Sequence, residues 1–121
     1  MPAVLLVEDE AEVRALIREE LESRGLPVRA VDTDVAAYAA LEAQPGGFDL
    51  LIADINLGAG TTGFDVARRA RRLNPALKVI YITGQAAQIE RFGVQGGEMF
   101  PKPFSPRELA DRALALLSPG E

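Results

Sequence analysis

Glu8, Asp9, Asp54, Thr83 and Lys102 are the residues of this chain whose types and positions could do chemistry together. Each stands at the end of a short strand-like run: Ala3 to Val7, Phe48 to Ala53, Lys78 to Thr83 or Glu98 to Pro101. Singly, each has an ordinary explanation. An acidic pair before a helix is favourable charge at a helix N-terminus, an aspartate forms turns, a threonine suits a strand, and a lysine is usually a solvated charge. Joint placement at successive strand ends is what chance rarely produces. Crowded carboxylates repel, and a cation is the usual remedy. A donor set of oxygens alone favours a hard octahedral ion, so magnesium is the expected cofactor.

Composition removes the competing chemistries. The chain has 121 residues, no histidine and no cysteine, so imidazole acid–base catalysis, a phosphohistidine relay, thiolate metal sites and disulfides are all excluded. With 18 acidic against 13 basic residues the net charge is -5, which repels a polyanion and argues against direct nucleic-acid binding. No apolar run approaches the ~20 residues of a membrane span, and the N-terminus lacks a signal-peptide pattern. A single cytoplasmic domain over residues 1–121, without membrane contact, is the expectation.

Such side chains need a fold that gathers strand ends. Ala3 to Val7 has no polar residue, the mark of a strand buried on both faces. Val13, Leu16, Ile17 and Leu21 recur at helical spacing over Ala11 to Leu21, with Gly25 as a stop. Val28 to Val31 reads as a second strand, and Asp34 as the cap of an alanine-rich helix through about Ala43. Phe48 to Ala53 forms a third strand ending at Asp54. A glycine-rich turn, Gly58 to Gly63, leads to a helix from about Phe64 to Leu73, then a strand Lys78 to Thr83 and a short one, Glu98 to Pro101. Ser105, Pro106 and Glu108 make a capping box that starts a final helix carrying Leu109, Ala113, Leu116 and Leu117. This alternation predicts an α/β fold with a five-stranded parallel sheet, doubly wound, with helices on both faces. Ligands in such sheets bind beyond the carboxyl ends of the strands.

Four segments carry a resemblance: Leu5-Leu6-Val7-Glu8-Asp9-Glu10, Phe48-Asp49-Leu50-Leu51-Ile52-Ala53-Asp54-Ile55-Asn56-Leu57, Val79-Ile80-Tyr81-Ile82-Thr83-Gly84 and Lys102-Pro103-Phe104. Over essentially the whole chain they resemble the receiver domain of bacterial response regulators in two-component signalling systems. The resemblance implies the flavodoxin-like strand order 2-1-3-4-5. It implies that Asp54 accepts a phosphoryl group from a sensor histidine kinase or phosphotransfer protein, in a magnesium-dependent reaction driven by positioning and electrostatics. Glu8, Asp9, the Asp54 carboxylate and the main-chain carbonyl of Asn56 would hold the metal, Lys102 would pair with one phosphoryl oxygen, and Thr83 would hydrogen-bond another. The Lys102–Pro103 peptide would be cis. Signalling would be by contact with a downstream protein target. Such a domain supports phosphorylation and hydrolysis at its own aspartate and is otherwise no enzyme.

The chain departs from that pattern in places. Gly58 and Gly60 loosen the loop after Asp54, and the stretch from Thr83 to Lys102 is short, with a weakly helical composition from Gly84 to Gly97. Asn56 and Gln85, two residues beyond Asp54 and Thr83, are expected to modulate phosphoryl lifetime without acting as bases. Met99 stands where the family usually carries an aromatic reporter, and Phe100 should point to the opposite face. Signalling is therefore expected to use Thr83 and residues 85–97. Arg68, Arg69, Arg71 and Arg72 read as a solvated helix face. The chain ends soon after Pro119, so output is expected through protein contact unless the sequence is an excised piece. Three rivals have weaker support. A haloacid-dehalogenase-type phosphatase needs an acid at position 56, where Asn56 stands, and a flavodoxin's phosphate would be repelled by Glu8, Asp9 and Glu10. A docking module that works without phosphorylation leaves the intact set unexplained.

Overall fold

A computed structural model of the chain describes residues 3–55, 62–84 and 98–117. Its elements run β1 (Val4–Val7), α1 (Ala11–Ser23), β2 (Val28–Val31), α2 (Asp34–Ala43), β3 (Leu50–Asp54), α3 (Gly63–Leu73), β4 (Lys78–Thr83), β5 (Glu98–Pro101) and α4 (Pro106–Leu117). The strands are all parallel, in the order β2-β1-β3-β4-β5. Both the parallel sheet and its order match the sequence reading.

The unbroken apolar runs are explained by two cores, one on each face. Successive strand residues point to opposite faces, so Leu5, Val7, Leu51, Ala53, Val79 and Tyr81 meet α2 and α3 through Ala37, Ala40, Leu41, Val66, Ala67 and Ala70. Their neighbours Val4, Leu6, Leu50, Ile52, Ile80 and Ile82 meet α1 and α4 through Ile17, Leu21, Leu109, Ala110 and Ala113. Each fully buried aliphatic side chain contributes roughly 1.5–3 kcal/mol to this packing. The alanines of α2 and α3 let those helices lie close to the sheet. Met99 packs against the first core and Phe100 against the second, as alternation along β5 requires.

Local capping sets the helix starts and corrects one sequence reading. Thr33, not Asp34, caps α2, accepting a hydrogen bond from the Ala36 N–H at 3.1 Å, and Asp34 becomes favourable charge in the first turn. The third helix starts at Gly63 because Thr62 and Asp65 form a reciprocal capping box, a pairing of threonine with aspartate three residues on. Ser105 accepts from the Glu108 N–H at 3.3 Å, so α4 begins at Pro106 as expected. Leu16 is a further correction: it is 54% exposed and lies on the rim of a groove beside Val13, Phe104 and Pro106 instead of entering the core. The arginines of α3 are also less uniform than a solvated face. Arg68 pairs with Asp65, Arg69 pairs with Glu42 across to α2, and Arg71 hydrogen-bonds Tyr81.

One glycine is needed for close approach. A Cβ at Gly63 would lie 2.5 Å from the Asp54 carbonyl oxygen and 3.1 Å from its carbon, both main-chain atoms that cannot rotate away. Gly63→Ala is therefore expected to cost about 1–3 kcal/mol and to push the end of β3 out of place. Thermal unfolding checks the first effect, and the NMR shift of the Asp54 amide checks the second. A variant as stable as the parent, with an unmoved Asp54, would contradict the close packing.

Candidate functional site

The register of the sheet fixes which residues meet. Val7 lies beside Ala53, Asp54 beside Ile82, and Thr83 beside Pro101. The ladders continue one residue beyond the strands: Glu8 N–H donates to the Val31 carbonyl at 3.1 Å, Ile55 N–H to Ile82 at 2.9 Å, and Lys102 N–H to Thr83 at 2.7 Å. Thus Glu8, Asp54, Thr83 and Lys102 are held by backbone hydrogen bonds and do not depend on loop conformation.

Glu8, Asp54 and Thr83 are the only polar or charged residues that are buried among the described residues, at 0%, 5% and 0% exposure. Burial of a carboxylate is costly unless it is paired, so their concentration at one sheet edge calls for a charge partner. Lys102 supplies part of it. Its ammonium donates to Asp54 Oδ2 at 3.0 Å and to Glu10 Oε1 at 2.7 Å, with Glu8 Oε2 at 3.5 Å. The Lys102–Pro103 peptide is cis. One carboxylate oxygen from each of Glu8, Asp9, Glu10 and Asp54 lies within 4.8 Å of the others.

Glu8 shows the imbalance most directly. Its Oε2 accepts the Glu10 N–H at 3.0 Å, while its buried Oε1 has no hydrogen-bond partner among the described residues. Burial pushes the Glu8 carboxyl up to about 7, opposed by the Glu10 N–H; Asp54 raises it further and Lys102 lowers it. Burial would by itself weaken the Lys102 ammonium, but its hydrogen bonds to Glu10 and Asp54 and the charges of Asp54 and Glu8 hold it above the ordinary lysine value. The orphaned buried Glu8 oxygen beside the Asp9 and Asp54 carboxylates makes a donor set of hard oxygens that a divalent ion fits, while the nearby Glu10 carboxylate is taken up by Lys102.

Residues 4–114 match the model of the response regulator receiver domain. The chain belongs to the response regulator receiver family. It is 32% identical over 120 residues to the response regulator receiver protein CpdR of Brucella abortus (strain 2308), covering 97% of this chain and 98% of that protein. It is 36% identical over 118 residues to the transcriptional regulatory protein ResD of Bacillus subtilis (strain 168), covering 94% of this chain but 47% of that protein. Among solved structures, a receiver protein from Sinorhizobium medicae WSM419 superposes with a TM-score of 0.87 at 29% identity, covering 99% of this chain and 97% of the other. The response regulator TrrA of Thermotoga maritima, in complex with Mg(2+)-BeF, gives 0.82 at 28% identity, covering 97% of this chain and 100% of the other. The chain is thus a receiver domain of the two-component response-regulator class. Receiver domains bind magnesium in general and interact with histidine kinases or phosphotransfer proteins.

The sequence-selected residues fall as follows in this receiver domain. Glu8, Asp9, Asp54 and Lys102 come together, and Thr83 ends the strand beside them. Asn56 and Gln85 lie outside the described residues, as does the segment 85–97 expected to carry the signal. Met99 is half-buried and sits opposite Tyr81 in the β4–β5 ladder, where Tyr81 packs on Phe64 with ring centroids 4.6 Å apart. The residue missed by sequence reading is Glu10, whose carboxylate makes the shortest contact to Lys102. A third consecutive acid after Val7 was the available signal, but no spacing rule linked it to a lysine 92 residues away.

Proposed function

We propose that Asp54 is the phosphoacceptor of this receiver domain. The observation that carries the reading is the burial of Glu8, Asp54 and Thr83 at one sheet edge, with the Lys102 ammonium 3.0 Å from the Asp54 carboxylate. In the reaction an Asp54 carboxylate oxygen attacks phosphorus, a P–N bond to the partner's histidine breaks, and the imidazole nitrogen leaves with the bonding pair. Asp54 emerges as an acyl phosphate. Water later attacks phosphorus and restores the carboxylate and inorganic phosphate.

This chain's residues contribute position and charge. The β3 ladder fixes the Asp54 main chain, so the nucleophile is presented without a large conformational search. Lys102, largely shielded from solvent, offers its ammonium where negative charge accumulates on the transferred group. Thr83 supplies a hydroxyl from the adjacent strand end. Glu8, Asp9 and Asp54, with the main-chain carbonyl of Asn56, would hold magnesium, which when bound neutralises charge on the transferring phosphoryl group. A module that docks without phosphorylation would have no use for a buried, under-partnered Glu8.

The same reading takes residues 1–121 as one receiver domain working in the cytoplasm with a histidine kinase or phosphotransfer protein and a downstream protein target. No helix among the described residues is long and apolar enough to cross a membrane. The test is incubation with a small phosphodonor such as acetyl phosphate, with and without magnesium, read by intact mass. One phosphoryl adduct that requires magnesium is expected. No adduct under either condition would overturn the proposal.

A further inference from the structure

Lys102 is claimed by more carboxylates than phosphoryl transfer requires. Its closest partner is Glu10 Oε1 at 2.7 Å, nearer than Asp54 Oδ2 at 3.0 Å or Glu8 Oε2 at 3.5 Å. Glu10 occupies the N-cap position of α1, yet its side chain does not cap that helix. It reaches instead across the sheet edge to the lysine. The two partners differ in freedom: the Glu10 side chain is 60% exposed, whereas that of Lys102 is 20% exposed. Glu10 can swing into solvent at little cost, while Lys102 is hemmed in by the carboxylates it serves.

Resting on the reading of Asp54 as phosphoacceptor, we infer that Glu10 is a positioning residue that competes with the phosphoryl group for Lys102. In the resting domain Glu10 pairs with the ammonium at 2.7 Å and draws it away from full engagement with Asp54. A phosphoryl group on Asp54 brings additional negative oxygens to the same ammonium, which has three N–H donors to distribute. Each N–H turned to the phosphoryl oxygens is withdrawn from Glu10, whose own charge also faces the incoming anion. Glu10 therefore favours the unphosphorylated state, and its release accompanies phosphorylation.

The test uses beryllofluoride, a phosphoryl mimic, titrated in excess magnesium into the wild type, Glu10→Gln, Glu10→Asp and the same changes in a Lys102→Ala background. The shorter aspartate keeps the charge but falls short of the ammonium, so a positioning role predicts that both Glu10→Gln and Glu10→Asp bind the mimic more tightly. The expected gain is about two- to fivefold, the scale of an exposed ion pair, and it should largely vanish in the Lys102→Ala background, as coupling between the two residues demands. Magnesium titrated alone should bind the single variants nearly as well as the wild type. Tightening in Glu10→Gln only, or an equal gain without Lys102, would show general charge repulsion and overturn the inference. So would a magnesium affinity lowered on the order of tenfold, which would make Glu10 part of the metal shell. Wild type that fails to bind beryllofluoride at all would overturn the phosphoacceptor reading, and this inference with it.

Discussion

Asp54→Asn is expected to abolish the phosphoryl adduct while the domain stays folded. The amide is nearly isosteric, so the last position of β3, packed between β1 and β4, loses no volume. What is lost is the nucleophile, because a neutral amide oxygen does not form the acyl phosphate. The fold should tolerate the exchange: Lys102 keeps Glu10 at 2.7 Å, and the asparagine oxygen remains an acceptor for it. Removing one charge from a crowded set of carboxylates also relieves repulsion, so the net change in stability should stay within about 1 kcal/mol. Intact mass after acetyl phosphate treatment reads the first claim, and thermal unfolding reads the second. An adduct that persists in Asp54→Asn places the phosphoryl group on another residue. Loss of the adduct together with loss of the fold would leave the assignment of the nucleophile without support.

The parts of this molecule that were legible in the sequence are those governed by strong, local rules. A run such as Leu50-Leu51-Ile52-Ala53, apolar at every position, has few ways to be satisfied other than a strand covered on both faces, and the two cores confirm it. Strand ends then follow from the first polar residue after each run, which is why Glu8, Asp54 and Lys102 could be placed together before any geometry was known. Weaker rules erred where two residues competed for one role. Thr33 and Asp34 are both good caps, and only the backbone of Thr33, extended at φ -135 and ψ 164, decides between them. Leu16 has the spacing of a core residue but stands next to Ile17, and α1 can turn only one of them fully inward. The Glu10–Lys102 pair was invisible for a different reason: it joins elements far apart in the chain, and no periodicity encodes such a contact.

Glu8 makes both stability and metal binding depend on pH. Its carboxyl lies at about 7 against an ordinary 4.5, chiefly because the group is fully buried. A folded value above the unfolded one means that the stabilisation is complete below the unfolded value and is lost as pH rises through the folded value. Metal-free protein should therefore lose stability between about pH 5 and pH 8, by up to about 3 kcal/mol for a shift of this size. Glu8→Gln, which cannot ionise, should flatten the profile over that window. Metal binding has the opposite sign, since a ligand carboxylate must be deprotonated before it can coordinate. Apparent magnesium affinity should fall as pH drops below about 7, approaching tenfold per pH unit, and binding near pH 6 should release close to one proton. Saturating magnesium should in turn abolish the loss of stability at high pH. Calorimetric titrations in two buffers of different ionisation enthalpy count the protons directly, and unfolding scans with and without magnesium supply the other half. Magnesium binding that releases no proton at pH 6, with metal-free stability level from pH 5 to 8, would show that Glu8 is already ionised in the folded domain. Its orphaned Oε1 would then need a partner other than a proton or a metal ion.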